Sequence, residues 1–228
     1  MWIKSIDYVL AGVGLGGHLA LLTVLIRRRL TARLPLFTIL IAFYLLRSGI
    51  FLLAHLTTVD PWLYWVLIGL DPVLQLILFA AIVHAWRPFA LKSTTARGLA
   101  ALGLIIAACL SGAVAWYVGP SSRFSPLNLS IKTDVFVSVL WIEAGIALWA
   151  SGRRAQLPRL TQKVVLGFAV YSAANVLTEI GHMHFAAARE ASPYIGLTYA
   201  RIAVYLLCLL LWFIASSQEA RLASEPAW

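Results

Sequence analysis

The chain has 228 residues, of which 61% are hydrophobic and 12% charged, with a mean hydropathy of +0.87. A soluble domain is about half apolar and about a quarter charged, so this composition excludes an ordinary soluble fold and points to one membrane-embedded unit. The formal net charge of +9 would suit nucleic acid in a soluble protein, but here the basic residues cluster in short loops between apolar spans, which argues against nucleic acid and for a lipid bilayer as partner.

A hydrocarbon core of about 30 Å takes about 20 apolar residues in a helix. That length predicts seven spans and an all-α membrane bundle, because barrel strands would alternate in polarity. The first span, roughly 5–26, holds Gly12, Gly14, Gly16, Gly17 and His18. Its G-x-x-x-G step would let another helix approach closely. It runs into Arg27, Arg28 and Arg29 with no small-residue cleavage site before them, which reads as a retained span rather than a signal peptide. The second span, roughly 35–56, carries Tyr44, Arg47 and His55. The third, roughly 61–86, carries Tyr64, Asp71 and His84, and Pro72 should kink it. The fourth, roughly 97–118, has Cys109, and the connection 119–130 after it is long enough to cap a pocket.

The fifth span, roughly 131–150, contains Glu143. The sixth, roughly 162–185, contains Tyr171, Asn175, Glu179 and His182 at spacings of four, four and three, which places them on one helical stripe. His184 falls on another face. The seventh, roughly 194–216, contains Tyr194, Arg201 and Cys208. Both cysteines lie in apolar spans and read as free thiols. Residues 1–217 form the bundle in this reading, and 218–228 a short cytoplasmic tail.

The loops orient the bundle. Arg27, Arg28, Arg29, Arg33, Arg87, Lys92, Arg97, Arg153, Arg154, Arg159, Lys163 and Arg221 fall on one side, and Lys4, Arg123, Lys132 and Arg189 on the other. Twelve against four predicts an outside N-terminus and a cytoplasmic C-terminus in the cytoplasmic membrane. Trp2, Trp62, Trp65, Trp86, Trp116, Trp149 and Trp212 lie near span ends, where an aromatic belt is expected.

A weak three-plus-one-plus-three repeat is also visible. Tyr44 and His55 are eleven apart, as are Tyr171 and His182; Tyr64 and Asp71 are seven apart, as are Tyr194 and Arg201. If the halves are related, Asp71 and Arg201 are equivalent and a pseudo-symmetric bundle brings them together.

Charges in spans carry the functional signal, because each costs about 2.5–3.5 kcal/mol at the bilayer centre and so faces the bundle interior. At about 1.5 Å of rise per residue, Arg47, Asp71, Glu179 and Arg201 fall at one level, between the midplane and the outer third. Two readings follow. Arg47–Asp71 and Glu179–Arg201 are buried pairs that only fix packing, or they line an outward-facing pocket for a small, anionic molecule or ion, with Tyr171 and Asn175 beside them and His182 at the mouth. The pocket would belong to a transporter-like or receptor-like protein. The pairs alone would suit an accessory subunit of a larger membrane complex, with other membrane proteins as partners. A third class, a metal or haem enzyme, draws on the E-x-x-H of Glu179 and His182 or on His55 and His182 at one depth. Retinal is excluded by chemistry: a Schiff base needs a lysine in the seventh span, where Arg201 is the one basic residue.

Overall fold

Lipid offers the backbone no hydrogen-bond partner, so a chain this apolar must close its backbone bonds internally, as helices do. The computed structural model describes residues 2–54, 61–90, 94–118, 126–151, 157–188 and 191–222. Among them are seven α-helices, one short 3-10 turn and no strand. The helices are α1 (Trp2–Arg27), α2 (Pro35–Ala54), α3 (Pro61–Ala90), α4 (Thr94–Val118), α5 (Pro126–Ser151), α6 (Arg159–Ala188) and α7 (Ala191–Leu222). Proline opens α2, α3 and α5, a position where its fixed φ suits the helix and its missing N–H costs nothing. Helix α3 is continuous through Pro72. Pro72 nevertheless has no N–H to give to the Ile68 carbonyl one turn back.

Six of the helices contain stretches long and apolar enough to cross a membrane: Ile6–Arg27, Pro35–Leu53, Val66–Ala85, Asn128–Ala150, Arg159–Phe185 and Ala191–Glu219. On α4 the apolar stretch among the described residues is shorter, Ile105–Tyr117. The chain is a multi-pass membrane protein.

The distribution of side chains is inverted relative to a soluble protein. Large apolar residues such as Val9, Leu19, Ile105, Leu177 and Leu207 are exposed, while His18, Gln75, Ser138, Asn175 and Thr178 are buried. A face of Leu and Ile is stable in lipid, and polar groups must find partners inside. The centre of the bundle is aromatic. Trp141 stacks on Phe168 at 4.5 Å between ring centroids, Phe168 meets Trp212 at 4.7 Å, and Phe37 and Phe79 pack edge-on against Trp212 and Trp141.

Two sequence expectations need correction here. Trp212 is not a belt residue. It is fully buried and its Nε1 donates to the Lys163 carbonyl at 3.3 Å. Among the tryptophans whose side chains are described, Trp116 and Trp149 are strongly exposed. The Gly12–Gly16 step on α1 is not a close-approach point among the described residues: Gly12, Gly14 and Gly16 meet nothing within 4 Å, and of the α1 glycines only Gly17 is tight, against the Leu209 side chain of α7. Further tight approaches occur at Gly145 against Ala169, Gly167 against the Trp212 indole and Gly181 against Leu197. Spacing patterns reveal that a small residue permits an approach, not which helix makes it.

Helix neighbours are α1 with α2 and α7, α2 with α3, α3 with α5, α5 with α6 and α4, and α6 with α7. Between α1 and α2 the chain turns tightly, with Arg29 in the left-handed region at φ 54°. The strained residue is held by bonds on both sides, from Arg28 N–H to Val24, Arg29 N–H to Ile26 and Leu34 N–H to Leu30.

Candidate functional site

Five charged side chains from five helices converge on one cavity. Arg47 (α2), Asp71 (α3), Asp134 (α5), Glu179 (α6) and Arg201 (α7) line a space of about 400 Å³, together with Tyr171, Tyr205, Phe51, Ile68, Pro72 and Ser130. That volume lies within the range of small-ligand sites.

One side of the cavity is built around Asp71. Arg47 is ion-paired with its Oδ2, and Tyr44 Oη and Gln75 Nε2 each donate to its Oδ1 at 2.9 Å. Gln75 reaches Asp71 because the two are four apart on α3. The Arg47 guanidinium also lies over the Tyr44 ring, 5.0 Å from its centroid. Asp71 therefore has donors on both oxygens, and Arg47 is held between a carboxylate and an aromatic face.

The other side is built around Arg201. Its Nη1 donates to Glu179 Oε1 and to Asn175 Oδ1, both at 2.9 Å. Asn175 is fully buried. Its Nδ2 donates to Asp134 Oδ2 at 2.7 Å and to Ser138 Oγ at 3.0 Å. A single amide thus turns its acceptor end to the guanidinium and its donor end to a second carboxylate, which is the one orientation that suits both. Glu179, Asn175 and Tyr171 can all serve this side because they share one stripe of α6.

The pairs are not sealed. The side chains of Arg47 and Arg201 each keep 27% of their surface accessible, and Asp71 and Glu179 keep 14% and 17%. All four line the cavity.

His182 lies beside the site. Its Nδ1 is 3.8 Å from Glu179 Oε1, its Nε2 is 3.0 Å from Thr198 Oγ1, and its ring stacks on Tyr194 at 3.9 Å. It clamps α6 to α7 and is not among the residues that line the cavity. His184 and His84 are exposed, and His55 lies outside the described residues. Glu143 is separate from the cavity, and its two buried carboxylate oxygens lie by the Ser111 hydroxyl of α4 without meeting it at hydrogen-bond geometry. No group of three or more His, Cys, Asp or Glu among the described residues could hold a metal ion.

Asp134 is the charged residue of the cavity lining that the sequence reading did not include. A fifth span starting at 131 leaves it at the membrane edge, where a carboxylate attracts no notice. Helix α5 begins at Pro126 and its apolar stretch at Asn128, so Asp134 sits two helical turns in. The proline at 126 was the available signal. Its inclusion alters the balance of the site to three carboxylates against two guanidiniums. The expectation of an anionic ligand rested on two of each.

A second, more apolar cavity of about 330 Å³ lies between α1, α2 and α7. Phe51, Ile202 and Tyr205 line both cavities and form the wall between them. His18 faces this second space, with its Nε2 2.5 Å from the Tyr205 hydroxyl. Comparison of the chain with protein-family models, with curated proteins and with solved structures finds no match.

Proposed function

We propose that the protein is a small-molecule-binding or ion-binding membrane protein, transporter-like or receptor-like, and that the charged cavity is its site. The carrying observation is the convergence of Arg47, Asp71, Asp134, Glu179 and Arg201 from five helices on one space of about 400 Å³. Buried pairs that only fix packing do so best when their remaining surface is closed off by hydrophobic side chains. Here the paired side chains line a space large enough for a solute. In this reading the seven helices cross the cytoplasmic membrane with the N-terminus outside. Ser130 and Ile131, in the first turns of α5, then bring the cavity towards the outer face.

The three-plus-one-plus-three plan fits this reading. Exchanging α1 with α5, α2 with α6 and α3 with α7 turns the neighbours α1–α7 into α5–α3, α1–α2 into α5–α6 and α2–α3 into α6–α7, and all of these pairs are in contact. The two ion pairs follow the same exchange with their signs reversed: base then acid on α2 and α3, acid then base on α6 and α7. A site at the interface of two related halves is where alternating-access carriers hold their substrate.

The test is water access deep in α7. In a chain whose two native cysteines are replaced by alanine, Ile202→Cys lines the cavity, and Leu207→Cys lies on the exposed apolar face. A charged methanethiosulfonate reagent should modify position 202 and leave position 207 in lipid untouched. Equal silence at both positions means a dry cavity and overturns the binding reading.

A second reading, an accessory subunit, draws on Gly12, Gly14 and Gly16 of α1, which meet nothing within 4 Å among the described residues. They would receive a partner helix, and copurification of a stable hetero-assembly is the measurement that favours it.

A further inference from the structure

Within the cavity, the five charges are not equivalent. Asp71 and Glu179 each hold a guanidinium. Asp134 does not: among the described residues no Arg, Lys or His lies within ion-pair distance of it, and Asn175 donates to its Oδ2 at 2.7 Å. Asn175 stands between Asp134 and Arg201, contacting both. It occupies the place a direct ion pair would need. The site therefore presents one carboxylate beyond its two guanidiniums, inside a membrane-embedded bundle where an unpaired charge is costly.

We propose that Asp134 is the anchor for the positive charge of a small organic cation, an ammonium-bearing solute, which neutralises the cavity when it binds. The proposal rests on the reading of the cavity as a wet binding site and names its ligand class. The walls suit that class. Tyr171, Tyr205 and Phe51 bring aromatic rings to the cavity lining, and a ring quadrupole attracts an ammonium. Pro72 leaves the Ile68 carbonyl without its usual helical donor, and Ile68 and Pro72 both line the cavity. That oxygen is an acceptor, of use to an N–H donor and of none to an anion. Arg47 and Arg201 direct hydrogen bonds to protein acceptors, Asp71 for the first and Glu179 and Asn175 for the second.

Other cations fit less well. A divalent metal takes six to eight oxygen ligands or a fixed octahedron, and two of the three carboxylates are already committed to arginines. A proton on Asp134 would cancel the excess charge but would use neither the volume nor the aromatic walls.

The test uses the Ile202→Cys chain in lipid nanodiscs. Its modification rate is measured with a quaternary-ammonium methanethiosulfonate and with a sulfonate-bearing one of similar size, each rate divided by that reagent's rate with a small free thiol in solution, because an anionic thiolate favours the cationic reagent intrinsically. The cationic reagent should react faster by about tenfold or more, the scale of one unit charge at close range in a partly buried site. Asp134→Asn should bring the two rates together. Tetramethylammonium chloride should slow modification in the Asp134 chain, whereas sodium acetate at equal ionic strength should not. That protection assay keeps native Asp134 and so stands even if the asparagine variant fails to fold. A faster sulfonate reagent, protection by acetate, or a cationic preference that survives Asp134→Asn overturns the proposal. Equal rates without protection also overturn it, as Asp134 would then hold only a proton, yet leave the cavity reading standing. No modification by either reagent removes both.

Discussion

A buried carboxylate has opposite effects on stability depending on what it touches. Glu179 accepts from Arg201 at 2.9 Å and lies 3.8 Å from His182. Glu179→Gln leaves the guanidinium facing a neutral amide, and a hydrogen bond to a charged group is worth about 1.5–3 kcal/mol. The variant should lose stability on that scale in detergent thermal unfolding. The pair is partly open to the cavity, which places the loss below that of a sealed ion pair. Arg201→Gln combined with Glu179→Gln should recover part of the loss, because neither charge is then left alone. Glu143 behaves in the reverse sense. Its two buried oxygens meet no donor at hydrogen-bond geometry among the described residues, and the Ser111 hydroxyl of α4 is only a weak contact, so Glu143→Met removes up to about 1–3 kcal/mol of desolvation cost and fills the same space. It should raise the unfolding midpoint. If Glu143→Met is as damaging as Glu179→Gln, then Glu143 has a partner that matters, and its isolation is wrong.

At the scale of elements, helices pack where small residues let backbones close in, since lipid supplies no hydrophobic drive between them. An added methyl at Gly167 would meet the Trp212 indole, and that ring is fixed by Phe37, Phe168 and the Lys163 carbonyl. Gly12 has open space around it. Gly167→Ala should therefore lower the unfolding midpoint by an overpacking cost of about 1–3 kcal/mol. Gly12→Ala should raise it by up to about 1 kcal/mol through helix propensity. Equal effects at both positions would show that the α6–α7 contact is not tight. These elements also show what could be read from sequence. The helices themselves were legible because lipid permits few alternatives, and the stripe of Tyr171, Asn175 and Glu179 was legible because helical period fixes it. The pairing of Arg47 with Asp71 and of Glu179 with Arg201 followed from shared depth on adjacent helices. The role of Gly167 was not legible, since nothing in the chain order says that Trp212 lies across from it. Asp134 was missed because an error of about one turn in a helix start moves a carboxylate from headgroup to interior, and apolar composition alone does not locate helix ends.

For the whole molecule, the number of crossings decides the orientation of everything after α3. Helix α4 is the uncertain one by composition, as its apolar stretch among the described residues is Ile105–Tyr117. It has 25 residues, and at 1.5 Å of rise per residue that is about 37 Å, more than the roughly 30 Å required. No charged residue lies between Gly98 and Val118. Arg97 gives the sequence a positive flank before this stretch, and the strongly exposed Trp116 and Tyr117 at its other end match an interfacial belt. If α4 lay on the surface instead, residues 98–118 would expose their apolar groups to water on one side. The positive charges would also lose their bias, because the loops before α4 and after α5 would fall on opposite faces. Reporter fusions resolve the matter. Alkaline phosphatase, which is active only outside, should be inactive when fused after Lys92, active after Ser122, and inactive after Ala155 and Arg221. A green fluorescent protein, which fluoresces inside, should give the complementary pattern. Activity after Ala155 and Arg221 with silence after Ser122 would mean six crossings. The start of α5 would then face the cytoplasm, and with it the end of the cavity marked by Ser130.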